Sequence, residues 1–224
     1  RPPGTCQPIG SRRSSTSPER IQIAVTDSLE PTSPATPPEF EPTGGSVTFV
    51  GSGPADLGLL TLSGSRAMRF ADLLIVDPTA DVEQVRSLAS AHAEVRIAGG
   101  DDEVADILGA VARGRRVVRL HSGDYFTDAD SAGVLPEVLA EAGIRANVVP
   151  GVNRWSAALS FGGVSATAAF AALDATVQVP DIESWPAPDT LVVRAAGTLA
   201  RDVAAQAAPR SGRDGQRLSL LALG

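Results

Sequence analysis

The sequence predicts an α/β protein built as two α/β domains, the first with a mostly parallel sheet and the second smaller and cut short. Three observations carry that prediction. From Ser46 onward, short runs rich in β-branched residues and leucine alternate with stretches of helical period, the pattern of strand–helix–strand units. Three of the predicted strands, ending at Val50, Leu120 and Val149, open into loops that contain glycine. Leu73-Leu-Ile-Val76 is apolar throughout, as a strand covered on both faces must be.

Taken in order, residues 1–45 hold nine of the 17 prolines (2, 3, 8, 18, 31, 34, 37, 38 and 42) among serine, threonine and both signs of charge. No period is sustained there, so a disordered tail is expected. Ile21–Val25 is the exception, a short strand or docking segment. Val47–Val50 is the first strand, and Gly51-Ser-Gly53-Pro54 is a turn that only glycine-rich backbone makes. A helix bearing Leu59, Leu60, Leu62, Ala67, Met68 and Phe70 should follow and aim its first N–H groups into the same space. Leu73–Val76, the second strand, is stopped by Asp77-Pro78. Val82, Val85, Leu88 and Ala89 mark the next helix, and Glu94–Ala98 a weak third strand. Asp101 or Asp102 should cap a helix carrying Val104, Ile107, Leu108 and Val111. The strand Arg116–Leu120 opens into His121-Ser-Gly123-Asp124-Tyr-Phe126, and a helix over Ala132–Ala142 should end at Gly143. Ala146–Val149 is a strand leading to Pro150-Gly151-Val-Asn153-Arg154-Trp155. Beyond Gly163, Ala175–Val179, Leu191–Arg194 and Leu218–Leu223 read as strands and Leu199–Ala207 as a helix, with a turn at the prolines flanking Ala187. The expected organisation is a tail (1–45), a first α/β domain (46–163) and an incomplete second one (164–224).

Composition narrows the function classes. A net charge of −7 argues against a nucleic-acid or anionic-membrane surface. All 19 basic residues are arginine, so lysine chemistry is excluded while anion binding through arginine is not. Cys6 is the only cysteine, and no histidine pair stands at ligand spacing, so neither a disulfide framework nor a metal site is expected. With no spanning apolar run and no signal segment, a cytoplasmic protein is the default.

In such sheets ligands bind beyond the carboxyl ends of the strands, so the loops at 51–57, 121–127 and 150–155 should converge on one cleft. A dinucleotide site is the first competitor, since Gly51-x-Gly53 follows a strand and Asp77 ends the next. Asp56 stands where its third glycine belongs, and Pro54 lacks an N–H for a pyrophosphate. Asp56, Asp77 and Asp124 are each either turn caps or site carboxylates, with position favouring the site for Asp77 and Asp124. His121 enters the cleft but reads as a loop residue, and Phe126 and Trp155 line a pocket or pack the core. Arg119, on the cleft strand, is the foremost anion contact.

Together these loops resemble the tetrapyrrole methylases, and among them the uroporphyrinogen-III C-methyltransferases. Gly51–Thr61 is similar to the family's opening signature, Ala71–Asp77 to its second strand, Val117–Asp124 to its central loop, and Ala142–Ile144 with Val148–Gly151 completes the match over residues 46–224. The resemblance implies S-adenosylmethionine bound between two α/β domains, an anionic tetrapyrrole substrate and a homodimer. It places Gly51, Gly53, Pro54, Ser122, Gly123, Asp124, Thr127, Asn153, Arg154, Ala195 and Gly224 at cofactor positions and Asp77 at that of the proton acceptor. Arg66 and Arg119 become candidate substrate contacts, with Arg69, Arg96 and Arg154 behind them. Departures are the side chains Ala55 and Leu57, Ser122 and Tyr125, Asn153-Arg154 in place of a threonine–alanine pair, and Ala195 in place of methionine. A threonine–histidine–arginine set near position 167 is replaced by Ala166-Thr-Ala-Ala169. This pattern resembles the divergent methylase domain fused to uroporphyrinogen-III synthase, which implies such a synthase as a partner, and a non-catalytic relative that only binds or scaffolds is the alternative.

Overall fold

A computed structural model of the chain describes residues 44–54, 57–99, 102–128, 134–144, 146–166, 169–179, 181 and 190–207. All of them fall in the unit Pro42–Gly224. The expected tail up to residue 43, Asp56, Asp101, Thr167, the turn around Ala187, the strand Leu218–Leu223 and Gly224 lie outside the described residues.

Five strands, β1 (Ser46–Gly51), β2 (Leu73–Val76), β3 (Glu94–Ile97), β4 (Arg116–His121) and β5 (Ala146–Val149), form a parallel sheet in the order β3-β2-β4-β1-β5. Val47 lies opposite Val117 on one side and Ala146 on the other, which fixes the register of the three strands whose loops matter most. Both faces of the central strands are covered, which explains why these strands are apolar at nearly every position. Val47, Phe49, Leu73, Ile75 and Val117 pack with Ile107 and Ala110 of α3 (Glu103–Ala112) and Leu139 of α5 (Val134–Glu141). Val50, Leu74, Val76, Val118 and Leu120 pack on the other face with Ala67 and Met68 of α1 (Leu62–Phe70) and Val85 of α2 (Val82–Leu88).

A smaller lobe follows α6 (Arg154–Phe161): a parallel pair, β6 (Phe170–Ala175) and β7 (Thr190–Ala195), with α7 (Ala200–Ala207). Among the described residues its buried core is Leu173, Ala175 and Val203. At about 1.5–3 kcal/mol for each large apolar side chain removed from water, the five-stranded sheet holds most of the stabilisation.

Three local expectations are corrected. The glycine turn passes first into a single turn of 3-10 helix, Leu57–Leu59, and the α-helix begins only at Leu62, because the Thr61 hydroxyl accepts the Gly64 N–H at 3.1 Å and caps it there. The N-terminus of α1 therefore starts well after the glycine corner. Asp102 occupies the cap position of α3 without a side-chain capping bond; instead, the Glu103 carboxylate accepts the Gly99 N–H. β6 precedes the expected strand: it ends at Ala175, where the Asp174 carboxylate accepts the Thr176 N–H at 2.8 Å and turns the chain. Val177 beyond that turn is exposed. The remaining strands among the described residues fall where their apolar runs put them, and Gly143 ends the helix before β5 with φ at +77°.

Candidate functional site

The parallel sheet delivers the loops after β1, β4 and β5 side by side at its carboxyl edge, and there their main chains touch. The Gly53 N–H donates to the Gly123 carbonyl (3.1 Å) and the Gly123 N–H to that of Gly53 (2.8 Å), an antiparallel bridge between two loops. Ser52 adds its N–H (2.8 Å) and its hydroxyl (3.0 Å) to the His121 carbonyl. A methyl group on Gly51 would stand 2.6 Å from both the Gly123 carbonyl oxygen and the Gly151 nitrogen, and one on Gly151 would stand 2.6 Å from the Gly51 carbonyl carbon. Real side chains do not survive such distances, so these glycines are required by backbone approach. Gly123 has φ at +87° in addition. The convergence expected of the loops at 51–57, 121–127 and 150–155 is present wherever those residues are described, and Pro54 is buried beside it.

Two carboxylates expected to face a ligand have protein partners instead. Asp124 is buried: one oxygen accepts the Phe126 and Thr127 N–H groups and the Thr127 hydroxyl, each at 3.1 Å, and the other accepts the Gly151 N–H at 3.0 Å. It opens α4 (Tyr125–Asp128) and ties the β4 and β5 loops together. Asp128, which no sequence pattern singles out, does parallel work: its carboxylate accepts the Asp124 N–H (2.8 Å) and the Arg154 N–H (3.1 Å). Its one legible signal was its place four residues after Asp124, within a helical turn.

Asp77 ends β2 on the face that carries Arg119 and His121. One of its oxygens accepts from Arg119 Nη1 (2.7 Å); the other accepts from His121 Nδ1 (2.8 Å) and the Ser122 N–H (2.9 Å). Burial works to raise its pKa, but the imidazole, the amide and the guanidinium outweigh burial and hold the carboxyl well below its usual range. Arg119 also donates through Nε to Glu103 at 2.7 Å, and although burial disfavours its charge, these two carboxylates hold it charged. The anion contact expected of Arg119 thus has both its counter-charges inside the protein. His121 Nδ1 lies 2.8 Å from Asp77, and its Nε2 is buried without a partner among the described residues. Tyr125 packs edge-on against His121 and tilted against Phe49, and burial pushes its hydroxyl up to about 12.

The other expected site residues divide. Asn153 caps α6, its side-chain oxygen accepting the Ser156 N–H at 2.7 Å. Ala195 closes β7 and packs against the Leu173, Ala175 and Val203 core of the smaller lobe. Arg66 lies on the exposed side of α1, away from the face that packs on the sheet. Arg154, half-buried in the first turn of α6, lies within electrostatic reach of Arg194, Asp128, Asp77 and Asp174. Burial first, and Arg194 second, lower its pKa from the ordinary guanidinium value.

Three loops pressed together through bare backbone stand at the carboxyl edge of the sheet, where open α/β sheets bind their ligands. Residues 46–216 match the model of a family described as Tetrapyrrole (Corrin/Porphyrin) Methylases. A siroheme synthase of Mannheimia succiniciproducens is 37% identical over 133 residues, covering 55% of this chain and 28% of that protein. The native structure of a Thermus thermophilus uroporphyrin III C-methyl transferase is 29% identical with a TM-score of 0.59, over 75% of this chain and 73% of that one. A structure of that enzyme complexed with S-adenyl homocysteine is 31% identical with a TM-score of 0.53, over 66% and 64%. The chain spans 28% of the length of the first curated relatives it matches.

Proposed function

The chain belongs to the tetrapyrrole (corrin/porphyrin) methylases, and from that premise we propose that it is an S-adenosylmethionine-dependent C-methyltransferase acting on a tetrapyrrole, in a reaction of the uroporphyrinogen III to precorrin-2 type. The observation that carries this reading is the main-chain contact of Gly51, Gly123 and Gly151 at the carboxyl edge of the sheet. A Cβ there would occupy the space the three loops need to meet, so the glycines bring three loops together at the sheet edge where a cofactor of this family would lie. Gly53, Pro54 and the Ser122-Gly123 segment would border it, with Ala195 opposite. When bound, S-adenosylmethionine supplies an electrophilic methyl group on a sulfonium.

The protein's contribution is position. Holding two reactants in line is worth several orders of magnitude in rate, and a floor locked by the Asp124 and Asp128 carboxylates can hold them without reorganising. Asp77, with both oxygens engaged, is a weak base; the geometry favours it as the charge that anchors Arg119, His121 and Ser122 under the cleft over a role as proton acceptor. By the same resemblance the protein works as a homodimer in the cytoplasm, with a uroporphyrinogen-III synthase as partner. Val148 on the edge strand β5, Phe161 and Phe170 offer exposed apolar surface to such associations. Residues 46–163 and 164–224 are then the two domains that enclose the cleft.

A second reading, a ligand-binding domain without turnover, is favoured by Arg154, a large half-buried side chain where the resemblance places a small one. Calorimetric titration with S-adenosylhomocysteine, followed by incubation with S-adenosylmethionine and uroporphyrinogen III, separates the two. Saturable binding in the micromolar to millimolar range with a product heavier by whole methyl groups is expected. Binding without product establishes the second reading, and no binding removes both.

A further inference from the structure

Arg154 and Arg194 come from different lobes, one from the first turn of α6 and the other from β7, which packs against that helix. Arg194 donates to the Asp174 carboxylate at 3.0 Å. The Arg154 backbone N–H donates to Asp128, but its guanidinium makes no hydrogen bond or ion pair among the described residues. The described carboxylates that act on it have other partners: Asp77 is bonded to Arg119, His121 and Ser122, Asp128 to two backbone N–H groups, and Asp174 to Thr176 and Arg194. A half-buried guanidinium that bonds no described residue, with a second guanidinium on the strand that packs against its helix, keeps donors free of those residues for an anion.

We propose that Arg154 and Arg194 form a carboxylate-binding subsite across the cleft that holds one peripheral acid group of the tetrapyrrole substrate. The inference rests on the tetrapyrrole reading given above and names the residues that grip that substrate in this chain. A carboxylate matches the planar fork of arginine and accepts two parallel N–H bonds from it. The cofactor offers a carboxylate as well, but brings an ammonium and a sulfonium with it, and two guanidiniums would repel both. A tetrapyrrole bearing acid groups on its rim brings only negative charge. The subsite also joins the lobes, since neither arginine reaches the acid group from the other's side.

Uroporphyrin, the stable oxidised octacarboxylate, serves as the probe, its affinity measured by fluorescence quenching and that of S-adenosylhomocysteine by calorimetry. Arg154→Gln and Arg194→Gln should each weaken uroporphyrin binding roughly 10- to 100-fold, the value of a hydrogen bond to a charged group. The double variant should lose less than the product of the two, because both act on one carboxylate. Arg86→Gln, on the exposed side of α2, should change nothing, and thermal melts should show all variants folded. Unchanged uroporphyrin affinity in both variants overturns the subsite while leaving the methylase reading standing. Weakened S-adenosylhomocysteine binding with unchanged uroporphyrin binding assigns the arginines to the cofactor and overturns it too. Failure of the unaltered protein to bind either ligand defeats the underlying reading instead.

Discussion

Asp77 shows how much one carboxylate is asked to hold. Its side chain and that of Arg119 are each nearly buried, at 13% and 12% exposed, so the pair is not a screened surface contact. Removing one charge from such a pair costs about 3 kcal/mol, because the other is left in a poor solvent. Asp77→Asn should lower stability by about that amount at neutral pH, with Glu103 left as the remaining counter-charge of Arg119. The sign of the pH dependence follows from the depressed pKa of Asp77 in the folded state. A group that is more acidic folded than unfolded contributes its full stability above its unfolded value, about 3.9, and loses it as pH falls toward the folded one. Urea unfolding of the two proteins should therefore show a gap that is constant near neutrality and narrows below about pH 4; a gap independent of pH would show that Asp77 is not ionised in this pair. The sequence made Asp77 and Asp124 visible as carboxylates at strand ends. It left their partners hidden, because Arg119, Ser122 and Gly151 reach them from strands far along the chain, and so the two looked available to a ligand.

Among the elements, the glycine corners were legible and their mutual contact was not. Gly51 and Gly123 each follow an apolar run, which is enough to read a turn, but only the order β4-β1-β5 brings them together with Gly151. A substitution tests that contact directly. Gly51→Ala places a methyl 2.6 Å from two backbone atoms of neighbouring loops, and overpacking of this kind costs about 1–3 kcal/mol. A fall in Tm of several degrees is expected by calorimetry, together with loss of S-adenosylhomocysteine binding. Gly197→Ala, where the added methyl meets nothing within 4 Å and φ is ordinary, should behave as the parent. Equal stability of both variants would mean the three loops have room to spare. Element boundaries slipped where side chains intervene in the backbone ladder. Thr61 restarts the chain as a helix after a run of leucines that has helical period already, and Asp174 ends a strand whose alanines carry little strand signature.

Across the whole molecule the two lobes are unequally anchored. β1, β2 and β4 bury large side chains on both faces, while β6 and β7 share a core of three buried residues among those described. Local opening follows the density of buried apolar contacts. Amide exchange should accordingly be slowest in β1, β2 and β4 and faster in β6, β7 and α7, and adding ligand should protect α6 and β7 more than the central strands. Uniform protection across both lobes would show that they open as one unit. The fold class was legible because strand and helix periods alternate so regularly from Ser46 onward. The charge seated between the lobes was less so, since nothing local distinguishes Arg154 and Arg194 from the arginines that solvent covers.

The floor made by Gly51, Gly123 and Gly151 carries one consequence of a different kind. It is built of peptide groups, paired between Gly53 and Gly123 and from the Gly151 N–H to Asp124, which neither gain nor lose a proton in water and whose dipoles are set by covalent geometry. Whatever affinity that surface lends a ligand is therefore the same in mild acid as in mild alkali, and any pH response of binding must originate in the ligand or in the ionised rim.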